Sequence, residues 1–142
     1  MQATPEGRVI AWILLILMGL ANAAGYAFDL YQAFWWFDRV LHGYTILAIT
    51  LWLALFLCAP VLDRRAGRDM LIVLLVASLG IAIGALWEVA EWGFDRIASG
   101  NAIKGKHDTI LDIVMDTAGA VLAAFLTLRL TRVPVRAGID SR

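Results

Sequence analysis

Met70–Asp95 reads MLIVLLVASLGIAIGALWEVAEWGFD. Met70 to Trp87 carries no charge and covers about 27 Å as a helix, close to the thickness of a bilayer's hydrocarbon core. Glu88, Glu91 and Asp95 follow at spacings of three and four, which puts them on one face of the same helix. An apolar span closing on a stripe of carboxylates belongs to a membrane protein whose ionisable groups turn inward, because lipid cannot solvate them.

Three further spans are legible. Val9–Phe28 is uncharged, Val40–Leu62 carries His42 as its main ionisable group, and Thr117–Leu128 is uncharged but covers only about 18 Å. To cross, the last helix must begin near Thr109 or Ile110, which draws Asp112 and Asp116 toward the bundle interior. The spans are therefore expected at about 9–28, 40–62, 70–90 and 110–130, within one domain over 1–132 and ahead of a polar tail at 133–142. The chain is 142 residues long and 61% hydrophobic, with a mean hydropathy of +0.77. The fold class that follows is all-α, a polytopic four-transmembrane-helix bundle. A formal net charge of zero gives no reason to expect nucleic-acid binding. A single cysteine, Cys58, excludes an internal disulfide and a thiolate zinc site.

The first span has the outline of a signal peptide, with Arg8 ahead of an apolar run and small residues at Ala21-Asn22-Ala23. The run continues to Phe28, which favours an uncleaved helix. Orientation follows from Lys and Arg. Arg8, Arg64, Arg65, Arg68, Arg129, Arg132, Arg136 and Arg142 fall on one side, against Arg39, Arg96, Lys104 and Lys106 on the other. Both termini are thus expected in the cytoplasm of a bacterial inner membrane, with the other two loops external. Tyr31, Trp35 and Trp36 read as an interfacial aromatic belt. Asp63–Asp69 reads as a tight polar turn, and Ser99-Gly100-Asn101 with Gly105 as an irregular outer loop.

This topology gathers three acidic sets at the external surface. Asp38 and His42 open the second span, Glu88, Glu91 and Asp95 close the third, and Asp108, Asp112 and Asp116 open the fourth. Asp38 stands where an N-cap is wanted, and Asp108 lies near the start of its helix. Glu88, Glu91 and Asp95 lie at a helix C-terminus, whose dipole disfavours anions, so something positive must compensate. Carboxylates with one histidine suit a divalent metal (Mg, Mn, Fe or Zn), held by Asp38, His42, Glu88, Glu91, Asp112 and Asp116. Neither HExxH nor Glu-x-x-His is present, so the zincin and di-iron helix motifs do not apply. Asp38, one turn from His42, is placed to orient its ring; His107 reads as a solvated loop residue.

On the catalytic reading, Glu91 or Asp95 is the general base, while Arg96, Lys104 and Lys106 draw an anionic headgroup. On the competing reading the acids are an interhelical salt-bridge lock in an accessory subunit of a larger membrane complex. A proton or ion relay is disfavoured, because the inner halves of the spans carry no titratable chain. Gly80 and Gly84 form a GxxxG that permits close helix contact, within the bundle in preference to a homodimer. Membrane lipids are the expected surroundings.

Asp38-Arg39-Val40-Leu41-His42 resembles the D-[KR]-x-x-H opening of VanZ-like membrane proteins. Trp87-Glu88-Val89-Ala90-Glu91-Trp92 and Asp108-Thr109-Ile110-Leu111-Asp112 resemble the acidic helix end and D-T-x-x-D segment of the related YjdF-like inner-membrane family. The resemblance spans Asp38 to Gly119. Glu91 stands where VanZ-like proteins tend to have Gln, and Asp112 is followed by Asp116 rather than Asn. The resemblance implies a small helical envelope protein that handles a lipid-linked or cell-wall molecule.

Overall fold

The first helix, α1 (Pro5–Ala27), starts from a well-formed cap: the Thr4 hydroxyl accepts the Gly7 N–H at 3.0 Å, and Pro5 takes the first helical position. The computed structural model describes residues 1–62, 67–98 and 103–133. The core of the Asp63–Asp69 turn, the Ser99-Gly100-Asn101 segment and the tail from Pro134 lie outside the described residues. α1 is followed by a short helix, α2 (Leu30–Ala33), and by α3 (Phe37–Leu53), which ends in a π-helical turn over Ala54–Cys58. Then come α4 (Asp69–Ala98) and α5 (Lys106–Arg129). Two-residue strands, β1 (Gln2–Ala3) and β2 (Thr131–Arg132), pair antiparallel and tie the start of α1 to the end of α5.

Among the described residues four helices are long and apolar enough to cross a membrane, and they are the four expected from the sequence. Their ends differ. The second stops at Cys58 rather than Leu62, where the Ala59 N–H bonds the Ala54 carbonyl and the helix widens into its last turn. The third continues helically through all three of its acids to Ala98, about 45 Å in all, so its acidic end extends past a core of about 30 Å. The fourth begins at Lys106, three residues earlier than a minimal span needs.

α5 is the central helix, packed against both α3 and α4, while α1 rests on α3. The close approach depends on small residues. A Cβ on Gly119 would overlap the Gly43 carbonyl oxygen of α3, and one on Gly80 would fall 2.5 Å from Ala120 Cβ. One on Gly84 would fall 2.6 Å from the Asp116 carboxylate. The GxxxG glycines thus face α5 inside the bundle. Apolar side chains of α1 such as Val9, Ile13, Ile16 and Leu20 point outward and are exposed, as a lipid-facing surface requires.

Because the obstacle at Gly119 is backbone, it cannot rotate away. Gly119→Ala is expected to destabilise the bundle by about 1–3 kcal/mol, the usual penalty of overpacking. Gly93→Ala, with open space around it, is expected to be neutral or slightly stabilising. Thermal unfolding in detergent of the two variants beside the parent checks the pair.

Candidate functional site

His42 is the residue on which the acidic sets converge. It is buried one turn inside α3. Its Nδ1 lies 3.4 Å from Asp116 Oδ1 of α5 and 3.7 Å from Glu88 Oε1 of α4. Its Nε2 lies 3.9 Å from both Asp38 Oδ1 and Glu91 Oε1. Asp38, expected to orient the ring, is farther from it than Asp116, which stands 74 positions along the chain. These separations exceed good N–H···O hydrogen-bond lengths.

Donor atoms from His42, Glu88 and Asp116 lie within 4.8 Å of one another, and so do those of a second group, Asp38, Asp108 and Asp112. The groups differ in their compensation. In the second, Arg39 Nη2 bonds Asp108 Oδ1 at 3.0 Å, and Lys104 Nζ approaches Asp38 Oδ2 at 3.4 Å. The Lys104 backbone N–H also reaches Asp108 Oδ2 at 3.3 Å. Arg39 is held in place by the Trp35 carbonyl and by stacking on the Trp35 ring. In the first group, neither oxygen of Glu88 and neither of Asp116 has a donor in good hydrogen-bond geometry among the described residues, His42 Nδ1 coming only to 3.4 Å of Asp116, although the residues are only 6% and 2% exposed. Burying a carboxylate without donors is costly.

The other expected residues are dispersed. Asp38 is the second residue of α3. Trp36 takes the N-cap position with no side-chain bond, so Asp38 does not act as the cap. Glu91 is half-buried and accepts the Trp87 indole N–H at 2.9 Å. Asp112 is buried, and its Oδ1 lacks a donor. Asp95 sits apart from His42, where its carboxylate accepts the Ile103 N–H at 2.9 Å and ties the end of α4 to the chain entering α5. Arg96 stacks on Trp92, with the guanidinium carbon 5.5 Å from the ring centre. Lys106 and His107 are exposed on the first turn of α5.

A half-open cavity of about 430 Å³ lies against His42, a size typical of small-molecule sites. His42, Asp38, Glu91, Asp116 and Lys104 line it; Asp95, Arg96 and Lys106 do not. Sequence reading missed its other wall. Asn22 and Gly25 of α1 face α2, and Gly25 leaves room for the Tyr31 and Phe37 rings. Tyr31 turns inward rather than joining the exposed Trp35 and Trp36. Its hydroxyl donates to Asn22 Oδ1 at 3.0 Å. Burial, with Tyr26, Asp38 and Glu91 nearby, pushes the Tyr31 phenol up to about 12, so it remains a neutral donor. Only the glycine at 25 hinted at this close approach.

The architecture is that of an integral membrane protein built as a four-helix bundle with a buried carboxylate and histidine centre. The chain matches the family described as "Predicted membrane protein (DUF2238)" over residues 5–132 and belongs to that family. It is also 31% identical over 113 residues to a Thermotoga maritima protein described as uncharacterized. The match covers 78% of this chain and 57% of the relative, so the chain spans little more than half that protein's length. No solved structure matches. These likenesses establish a membrane family; they do not make the chain VanZ-like.

Removing one partner of the Arg39–Asp108 pair leaves a charge stranded. Arg39→Met is expected to cost about 1.5–3 kcal/mol of stability. Adding Asp108→Asn to that variant should restore more than half of the loss. A double-mutant cycle by thermal unfolding reads this coupling. In an ultraviolet titration of the parent, one phenol is expected to ionise near pH 12, and this step should vanish in Tyr31→Phe.

Proposed function

We propose that the bundle binds a divalent cation at His42, Glu88 and Asp116 and uses it on an amphiphilic, lipid-linked substrate admitted through the adjoining cavity. One observation carries the reading: four buried carboxylate oxygens, on Glu88 and Asp116, have no donor, beside a histidine that can supply a nitrogen ligand. A divalent ion supplies the missing positive charge. A mixed carboxylate and imidazole set suits Zn²⁺, Fe²⁺ or Mn²⁺, and Mg²⁺ less well. In the second group Arg39 and Lys104 already compensate Asp108 and Asp38, which leaves Asp112 Oδ1 as its one buried oxygen without a donor among the described residues.

Three protein ligands leave coordination positions for water or substrate, the arrangement of catalytic rather than structural sites. Held by these residues, a divalent ion would supply Lewis-acid polarisation of a phosphoryl or carbonyl oxygen, or would lower the pKa of a bound water. Glu91, which lines the cavity, is the group placed to take a proton. Lys104, on the same wall, is placed to meet an anionic part of the substrate. Asp95, tied to the Ile103 N–H, has no part in this chemistry. The Lys and Arg asymmetry favours an inner-membrane protein with this centre on the external side. The resemblance at Asp38–His42 and Trp87–Asp112 to VanZ-like and YjdF-like proteins favours a substrate of the cell envelope.

Plasma mass spectrometry of detergent-purified protein tests the ion. Near-stoichiometric metal is expected in the parent and in Asp38→Asn, and at least a tenfold reduction in a folded Glu88→Gln/Asp116→Asn variant, in line with losing two ligands. A parent without metal, after incubation with each of these ions, overturns the reading. The cross-helix pairs of Arg39 with Asp108 and Lys104 with Asp38 would then favour the salt-bridge lock of an accessory subunit.

A further inference from the structure

The cavity is zoned along the membrane normal. Its outer end carries Asn22, Tyr31, Asp38, Glu91 and Lys104, and its inner end Met18, Ile46 and Ile49. The axial order follows from the helices. On α3, Ile49 lies seven residues, about 10 Å, deeper than His42. On α1, Met18 lies one turn deeper than Asn22. The walls come from α1 and α4, with α3 as the floor. α1 rests on α3 and makes at most marginal contact with α4, while α4 packs on α5 and α3. Among the described residues, therefore, α1 and α4 do not close the space over α3, and Trp87 at this edge is itself half exposed. Gly19 of α1 lines this space, and a Cβ there meets nothing within 4 Å. Both flanks of the gap are helices long and apolar enough to span a membrane, with outward apolar side chains, the kind of surface that meets acyl chains.

We infer that this gap is a lateral entrance for a zwitterionic aminophospholipid, tail between Met18, Ile46 and Ile49, headgroup between Lys104 and the carboxylates Asp29, Asp38 and Glu91. The headgroup assignment rests on charge. The polar end offers one lysine, which approaches Asp38 at 3.4 Å, for a phosphate, and the further carboxylates Asp29 and Glu91 for an ammonium, so a head that bears both signs meets both. An anionic head meets carboxylates it cannot bind. A polar compound arriving from water has no use for the apolar inner end. The inference deepens the proposal that the site takes an amphiphile, but it does not depend on the bound ion.

The test uses the full chain in vesicles of phosphatidylethanolamine and phosphatidylglycerol, doped with phosphatidylethanolamine bearing a diazirine on one acyl tail. After irradiation, adducts are mapped by peptide mass spectrometry. Adducts are expected on Met18, Ile46 or Ile49. In Gly19→Phe, which fills the apolar arm, they should fall about tenfold, while adducts on the outward Ile16 and Leu74 persist as an internal control. Ile49→Trp provides a second blocking variant should Gly19→Phe not fold. The same diazirine on phosphatidylglycerol is expected to label the cavity severalfold less; equal labelling overturns the headgroup assignment. Labelling confined to outward faces in the parent overturns the entrance itself. Metal content measured on the same samples separates the two readings: cavity adducts without metal overturn the ion alone, and metal without cavity adducts overturns the entrance alone.

Discussion

The close contact of α5 with α3 and α4 is the constraint on which the rest of the molecule depends. α5 carries Asp108, Asp112 and Asp116 on one face, and a helix in lipid has nowhere to put them except inward. Inward placement requires neighbouring backbones near enough to exclude lipid. Gly43, Gly80, Gly84 and Gly119 provide that approach. Gly84 lies directly against the Asp116 carboxylate, so the residue that permits helix contact also fixes the depth of the acid. Small-residue packing and buried charge are here one feature, since neither arrangement is stable without the other.

That feature divides the acids into two populations. Near the membrane surface, Arg39 and Lys104 reach Asp108 and Asp38 and form cross-helix pairs. Deeper, Glu88 and Asp116 face His42, the one cationic or imidazole group that approaches them among the described residues. Asp116 is ten residues into α5, about 15 Å along its axis, beyond the bonds these cations make at the surface. The surface acids are paired with cations across helices, while the deeper trio carries carboxylate oxygens without donors among the described residues. A sequence reading that pooled Asp38, Glu88, Glu91, Asp112 and Asp116 with His42 into one metal set could not draw this line, because it depends on which cations fold back over which acids.

Much of the architecture was legible because its signals are local. Uninterrupted apolar runs gave the spans, and spacings of three and four gave the inward faces. The alternation of the spans put three distant acidic sets at one end. What was illegible depends on tertiary packing. α2 is a single turn begun by Asp29 in the left-handed region, φ 51°, a conformation Asp tolerates but does not announce. The strands β1 and β2 are too short to produce alternation. Asn22, read within a small-residue cleavage pattern, is a cavity residue bonded by Tyr31. Asp95 looked equivalent to Glu91 by spacing, yet one further turn carries it past the cavity to the Ile103 N–H.

The position of α1 follows from the same asymmetry. α3, α4 and α5 have small residues that bring their backbones together, whereas α1 adds bulky rings to its contact with α3. Trp12 of α1 packs edge-on to Trp52 and Phe56, and Tyr31 of α2 packs edge-on to Phe37 at the start of α3. Large side chains hold α1 on α3 without drawing it in toward α4. The trio that excludes lipid thus forms the charged centre, and the helix that stands off leaves space beside it. A bundle packed uniformly tight would have buried His42 with no cavity against it. A bundle packed uniformly loose could not have kept Glu88 and Asp116 from lipid. The uneven packing leaves a cavity beside a buried polar centre, with one spanning helix standing off from the three that hold it.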